Sequence, residues 1–213
     1  MDHEGPAEDT ADLDTALGSL RESGAAFLVC GDVPSCVHEQ ACERWLGRGG
    51  RTRLVVRTLG TRAPDLTTAE TIGLETSMRS AAQPSPSAET SVGSLSELGT
   101  TLVDTLSRLE ARTGDPGELR VCVEAVDPLR RHADDETVFR FLHLLAHRVR
   151  AADALAHVHL AAGPDDELTG TLQSLFDGVV TLRADGSVAE EQWHLTEQNL
   201  TTEWLPVETG RGP

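Results

Sequence analysis

The sequence contains no lysine and no tyrosine, and aromatic residues make up only 3% of its 213 residues. All 18 basic residues are therefore arginines, and they face 35 acidic residues, for a formal net charge of −17. Nucleic-acid-binding domains need a basic patch that neutralises phosphates, so this charge balance argues against a nucleic-acid partner. With so few aromatics, a buried core must be built mainly from leucine, valine and alanine.

Long hydrophobic runs are also absent, because the longest wholly apolar run spans only a few residues. A helix needs about 20 apolar residues to cross a bilayer, so we expect no membrane partner. The acidic residues 1–15 do not match a secretory signal peptide. We therefore expect a cytoplasmic protein whose four cysteines are reduced.

The excess of acids over arginines, with no lysine at all, is typical of proteins from extreme halophiles. An ordinary acidic mesophilic protein is the alternative. In either case the like charges repel one another in dilute buffer, and concentrated salt screens that repulsion within a few ångströms.

The hydrophobic pattern alternates between apolar runs and segments of helical periodicity. Buried strands are predicted at residues 25–30, 54–56, 119–125, 156–161 and 178–182, with a possible edge strand at 191–196. Helices are predicted at 12–22, 38–46, 94–112, 135–151 and 167–176. Apolar strands that alternate with helices indicate an α/β fold with a mostly parallel sheet and helices on both faces.

The chain is predicted to form one domain over residues 12–200. Residues 1–11 are acidic and are expected to be a disordered tail, and residues 201–213 a C-terminal tail. The segment at about 80–93 is rich in serine, alanine and proline, which favours a flexible loop within the domain.

The turn after the first strand has the context of a phosphate-binding loop, G-x-x-x-x-G-K-[ST], which follows a strand and opens a helix. The first glycine of the pattern is present as Gly31, followed by Asp32 and, further on, Ser35. Cys36, Val37 and His38 then replace the second glycine, the lysine and the hydroxyl residue.

Each replacement removes a specific part of phosphate chemistry. The second glycine lets the backbone wrap the phosphate, whereas Cys36 carries a Cβ. The lysine supplies charge to the phosphates and Val37 supplies none. Mg²⁺ prefers oxygen ligands, so His38 is a poor substitute for a hydroxyl. A helix N-terminus still attracts anions, but that attraction alone does not hydrolyse ATP.

Three further segments carry a family resemblance: Arg120 to Leu129, the helix opening Asp135 to Leu142, and Ala154 to Leu160. Together with Gly24 to Leu46, they resemble KaiC- or RadA-like domains of the RecA superfamily, in the form of small haloarchaeal proteins with a degenerate phosphate-binding loop. The resemblance spans most of residues 12–183 and implies a RecA-like fold.

The resemblance also implies which catalytic positions are altered. The Walker B aspartate corresponds to Glu124, which keeps a carboxylate. The catalytic acids of the family follow the second strand, where this chain has Leu59 and Gly60. Because the lysine, the hydroxyl and the second glycine of the loop and the catalytic base are all replaced, the resemblance implies a pseudo-ATPase. We expect no bound cofactor, and bound ATP or ADP is the alternative.

Cysteine and histidine spacings offer possible metal ligands. Cys36, His38 and Cys42 form C-x-H-x₃-C, which suits zinc but lacks a fourth ligand. Five other histidines recur over a short stretch and are His132, His143, His147, His157 and His159. We favour the alternatives without a metal: a loop that drifted after losing its nucleotide, and ordinary core or partly exposed histidines. We therefore predict no metal and no catalytic residue.

Three functions follow from these observations. The first is a non-catalytic RecA-like module that acts through protein contacts, in regulation or signalling or as the partner of an active relative, including self-association. The second is a sensor that binds nucleotide without turnover, near His38 and Glu124. The third is a residual ATPase in which Arg57 or Arg130 replaces the missing lysine.

Overall fold

A computed structural model describes residues 6–47, 49–58, 69–74, 89–186 and 188–207. Several sequence predictions fall wholly or partly outside these ranges. They are the first five residues of the acidic tail, the catalytic-acid position at Leu59 and Gly60, and most of the Ser/Pro loop. Residues 208–213 of the C-terminal tail also lie outside.

Five α-helices are described: α1 (Pro6–Ser23), α2 (Ser35–Leu46), α3 (Leu95–Glu110), α4 (Asp135–Ala151) and α5 (Glu167–Leu172). Local sequence explains their starts. The Ser94 hydroxyl accepts a hydrogen bond from the Glu97 amide at 3.2 Å, and Asp134 caps α4 through the Thr137 amide at 2.8 Å. These side chains satisfy amide groups that the first helical turn leaves without partners.

The ten described strands are β1 (Ala25–Cys30), β2 (Thr52–Thr58), β3 (Glu70–Leu74), β4 (Glu89–Val92), β5 (Leu119–Val123), β6 (Leu155–Leu160), β7 (Gly178–Asp185), β8 (Val188–Leu195), β9 (Leu200–Thr201) and β10 (Leu205–Pro206). They form one sheet in the order β10-β8-β7-β1-β6-β5-β2-β3-β4, with β9 also paired to β8. Strands β1 to β7 run parallel, and β8 pairs antiparallel with its neighbours.

Helices cover both faces of this sheet, which confirms the predicted fold class. Alternate residues of each strand point to opposite faces. One face packs against α3 and α4 through a large apolar cluster that includes Leu98, Leu142 and Val121. The other packs against α1 and α2, through residues such as Phe27 and Trp45. Of the helices in the described ranges, none is both long and apolar enough to span a membrane.

The structure corrects three boundaries of the predicted organisation. Helix α1 begins at Pro6, inside the tail predicted over 1–11, because proline suits the first turn of a helix. Strand β4 occupies Glu89–Val92 at the end of the predicted 80–93 loop. Strand β10 and Thr201 of β9 lie in the predicted tail 201–213 and pair with β8, which the turn at Gly186 joins to β7.

Strand β3 was also missed by sequence reasoning, because Glu70–Leu74 is short and half polar. It pairs with β2 and β4 near the end of the sheet. The predicted start of α2 at residue 38 was three residues late, since the helix begins at Ser35 directly after Pro34.

Candidate functional site

The loop after β1 lies at the carboxyl edge of the parallel strands, where α/β sheets bind their ligands. Strand β1 ends at Cys30 and α2 begins at Ser35, so four residues connect them. The structure therefore places the predicted loop residues in one strand-turn-helix unit, as a phosphate-binding loop requires.

Gly31 is buried at the start of this loop, and its surroundings explain why it is glycine. Its amide donates to the Leu160 carbonyl at 3.3 Å. A Cβ at this position would lie 2.6 Å from the Leu182 carbonyl oxygen on β7. The close approach of a neighbouring strand excludes a side chain here, independently of any phosphate.

The next positions do not present the groups that phosphate chemistry needs. Asp32, Ser35 and Cys36 are exposed, whereas Val37 is buried with 6% of its surface accessible. Val37 therefore contributes to the core on the α1 and α2 side of the sheet. Pro34 stands before α2 and provides no side-chain cap for its first amide groups.

His38 turns toward the sheet and joins a relay of hydrogen bonds. Its Nε2 lies 3.0 Å from the Gly31 carbonyl oxygen, and its Nδ1 lies 3.0 Å from Nδ1 of His159. A carbonyl can only accept, so His38 Nε2 carries the proton and donates it. Neutral His38 then accepts at Nδ1 from His159 Nδ1–H, which leaves His159 Nε2 with a free lone pair.

His159 is also a member of a buried cluster of two cysteines and two histidines. The ligand atoms of Cys42, Cys122, His157 and His159 all lie within 4.8 Å of one another. Cys42 and Cys122 are free thiols with their sulfurs 2.9 Å apart. The Nε2 atoms of both histidines are buried without a hydrogen-bond partner.

Sheet register brings the cluster together. Cys122 on β5 is the direct neighbour of His157 on β6, and His159 follows two residues later on the same side of that strand. Cys42 reaches them from the buried side of α2. All four side chains therefore meet between one helix and two adjacent strands.

Burial keeps these groups uncharged. It lowers the pKa of the His157 imidazole to about 3, and the positive charges of Arg120 and Arg44 add to this effect. Burial, together with the neighbouring His157 and His38, also lowers the pKa of His159 well below its usual value. Both imidazoles are therefore neutral near pH 7, the form that binds metals.

The thiols respond to burial in the opposite sense. Burial, with the hydrogen bond and charge of Cys42, raises the pKa of Cys122 well above its usual value. A bound cation reverses this preference, because a thiol that coordinates a metal loses its proton.

The predicted C-x-H-x₃-C motif is not assembled. Cys36 is exposed in the first turn of α2, His38 contacts the cluster only through His159, and Cys42 joins it directly. Of the other histidines considered, His132, His143 and His147 are exposed. Sequence reasoning missed Cys122, although its place in an apolar strand next to the His-x-His strand was a usable signal.

Glu124, which was predicted to be Walker B-like, directly follows β5 at the carboxyl edge of the sheet. Its amide donates to the Val56 carbonyl at 3.1 Å, and its carboxylate lies 3.9 Å from Nε of Arg57. Arg130, the other candidate replacement for the lysine, binds Asp135 at 2.8 Å. Both arginines considered as replacements for the lysine thus have acidic neighbours of their own.

Asp127 is an acid near the loop that sequence reasoning did not select. Its carboxylate accepts the Ala161 amide at 3.1 Å. The pKa of His38 is lowered by burial, and the charge of Asp127 partly opposes that shift. Asp127 therefore contributes negative charge close to His38 of the loop.

Comparisons with known proteins come from structure and from sequence. The crystal structure of KaiC-like protein PH0186 from the hyperthermophilic archaeon Pyrococcus horikoshii OT3 is similar, with a TM-score of 0.48 and 12% sequence identity. The alignment covers 86% of this chain and 85% of that one. No curated protein matches the sequence.

A family model matches residues 24–182, a range that begins just before β1 and ends within β7. It therefore includes the loop after β1, Glu124 and all four members of the cysteine and histidine cluster. Because the match spans most of the sequence, the chain belongs to DUF7504, a family of unknown function.

Proposed function

We propose that this chain is a RecA-like module that does not hydrolyse ATP and acts in the cytoplasm through contacts with other proteins, in regulation or signalling. One observation carries the non-catalytic part. The three replaced positions of the loop present an exposed thiol at Cys36, a buried apolar side chain at Val37, and an imidazole at His38 that is engaged with Gly31 and His159.

The physical argument concerns charge. Phosphoryl transfer depends on positioning and on cations that stabilise the phosphate oxygens, with Mg²⁺ held by oxygen ligands. The chain contains no lysine. Arg57 and Arg130 lie beside Glu124 and Asp135, and Asp127 adds negative charge near His38. The loop region therefore favours neither the triphosphate nor its transition state.

The interaction part rests on the family resemblance. RecA-type domains commonly assemble side by side, and this is an argument by analogy of fold. A partner or a second copy is therefore the expected ligand of this chain. Sedimentation in multimolar KCl tests self-association, since concentrated salt screens the repulsion between copies that each carry a charge of −17.

A nucleotide sensor is the second candidate, and a specific feature favours it. The first turn of α2 is exposed at Ser35 and Cys36, and no side chain caps it. Free amide groups at a helix N-terminus attract phosphate. Such a site binds nucleotide without hydrolysing it.

Thermal unfolding in multimolar KCl, with and without Mg²⁺ and ATP or ADP, separates the candidates. A ligand at 100 times its Kd stabilises the folded state by about 2.7 kcal/mol, so binding raises the melting temperature. We expect no rise. A rise without phosphate release would favour the sensor. Phosphate release that is lost in Glu124→Ala would establish the residual ATPase and refute the non-catalytic proposal.

A further inference from the structure

We propose that Cys42, Cys122, His157 and His159 form a structural zinc site that fastens α2 to strands β5 and β6. This site differs from the C-x-H-x₃-C pattern in the sequence, because two ligands come from one strand, one from its neighbour and one from the helix. It is independent of whether the chain binds nucleotide.

The donor set has the composition of a structural zinc site. Two thiolates and two imidazoles are a common tetrahedral set for Zn²⁺, and softer ligands of this kind disfavour Mg²⁺ and Ca²⁺. All four residues are buried, and four protein ligands leave no open position for water or substrate. The site would therefore hold the fold rather than perform catalysis.

The two orphaned imidazole nitrogens are the strongest indication that something binds here. Nε2 of His157 and Nε2 of His159 are buried with no hydrogen-bond partner. The two residues expose only 2% and 3% of their surfaces, so bulk water cannot supply the missing partner. Buried polar atoms almost always have a partner, and each unpaired atom is costly. A metal ion among the four ligand atoms satisfies both nitrogens at once.

The relay from the loop orients one of these ligands. Gly31 fixes the tautomer of His38, and His38 fixes that of His159. The unprotonated Nε2 of His159 is then buried without a hydrogen-bond partner. Outer hydrogen bonds of this kind commonly fix the ring orientation of metal-binding histidines. The residue that replaces the Mg²⁺-binding hydroxyl of a phosphate-binding loop thus positions a ligand of a different metal site.

Only a small rearrangement is needed to seat the ion. The two sulfurs lie 2.9 Å apart. Two thiolates on one tetrahedral zinc, each about 2.3 Å from the metal, are separated by about 3.8 Å. Seating the ion therefore requires the sulfurs of Cys42 and Cys122 to separate by about 0.9 Å.

Metal content of the reduced, full-length chain tests the proposal. We expect one zinc per chain after purification with a non-chelating reductant, and a lower melting temperature after chelation. Cys122→Ser and Cys42→Ser should lose the metal. The matched controls are Cys30→Ser, a buried cysteine outside the cluster, and Cys36→Ser, an exposed cysteine of the sequence motif; both should retain one zinc per chain.

Cobalt substitution keeps the test valid if the cysteine variants do not fold. Co²⁺ bound by the wild-type chain should show the visible bands of a tetrahedral thiolate site, and Zn²⁺ should displace them. A folded, reduced chain that binds neither ion overturns the proposal. So does zinc that remains in both cluster variants, or a Cys42–Cys122 disulfide found by mass spectrometry in place of the metal.

His38→Thr tests the positioning role. His38 is not a ligand, so the variant should still bind one Co²⁺ per chain with the same tetrahedral spectrum. Loss of the relay should weaken metal affinity by about 10–100-fold. Unchanged metal affinity would refute the positioning role of His38. The metal-content measurement would still decide whether the four ligands bind zinc.

Discussion

The two faces of the sheet are built from different side chains, although the same strands supply both. Toward α3 and α4, strands β5 and β6 present Val121, Val123 and Val158. Toward α2, the alternate residues of the same strands are Cys122, His157 and His159. One face is an apolar packing layer, and the other contains the chemically reactive groups.

Buried charge follows the same division. Of the described residues, the buried ones that carry charge are Arg53, Arg120 and Glu191, and all three lie on the α1 and α2 side. Glu191 pairs with Arg44 of α2 and accepts from Nε1 of Trp193 at 2.9 Å. An apolar face is stabilised by close packing, which leucine and valine provide. Buried polar groups, in contrast, require specific hydrogen-bond or ionic partners. Substitutions should therefore act through different mechanisms on the two faces.

The largest effect is expected from breaking the buried ion pair. Glu191→Ala leaves the Arg44 guanidinium without its carboxylate, and both side chains are about 5% exposed. Removing one partner of such a pair should destabilise the fold by about 3–5 kcal/mol, measured by denaturant unfolding at fixed KCl. Replacing both residues together, as Arg44→Met with Glu191→Leu, should restore much of the loss. A single-variant loss below about 1 kcal/mol, as measured for solvent-exposed ion pairs, would mean that water reaches this pair.

A comparable but purely volumetric effect is expected on the opposite face. Leu142 of α4 is fully buried in the apolar cluster. Leu142→Ala should cost about 2–5 kcal/mol through lost burial and a residual cavity. Leu142→Met, which conserves volume, should cost less than about 1.5 kcal/mol. If both substitutions cost the same, shape rather than volume controls this face, and the contrast between the faces is weaker than proposed.

A smaller loss of stability is expected from a substitution at the carboxyl edge of the sheet. Gly31→Ala places a Cβ 2.6 Å from the Leu182 carbonyl and should destabilise by about 1–3 kcal/mol through overpacking. Gly170→Ala in α5 is the control, because nothing lies within 4 Å of the added atom. It should be neutral or stabilising by up to about 1 kcal/mol. Equal responses in thermal unfolding would contradict the packing role of Gly31.

Sequence patterns located the strands that are buried on both faces. Apolar runs marked β1, β5, β6 and β7, because a strand covered by helices on both sides has no polar face. The same reasoning missed β3 and β4. Both strands are short and begin with a glutamate, Glu70 and Glu89, so their sequences are similar to those of loops. Pairing with a neighbouring strand, rather than their own composition, makes these segments strands.

The candidate site was only partly predictable for a related reason. Local order along the chain was enough to place Gly31, Val37 and His38 in one loop-and-helix unit. It could not show that His38 bonds to His159, since the two residues are 121 positions apart. Their contact depends on β6 lying directly beside β1.

The sequence by itself determined the acidic charge, the α/β class and the absence of lysine, because each depends on composition or on near neighbours in the chain. Only the tertiary structure decided which cysteines and histidines meet. Cys42, Cys122 and His157 belong to three elements, and the register of β5 against β6 selects the face on which they converge. The hydrophobic pattern of each strand fixes which of its residues share a face. Which strands become neighbours depends instead on how the whole sheet packs.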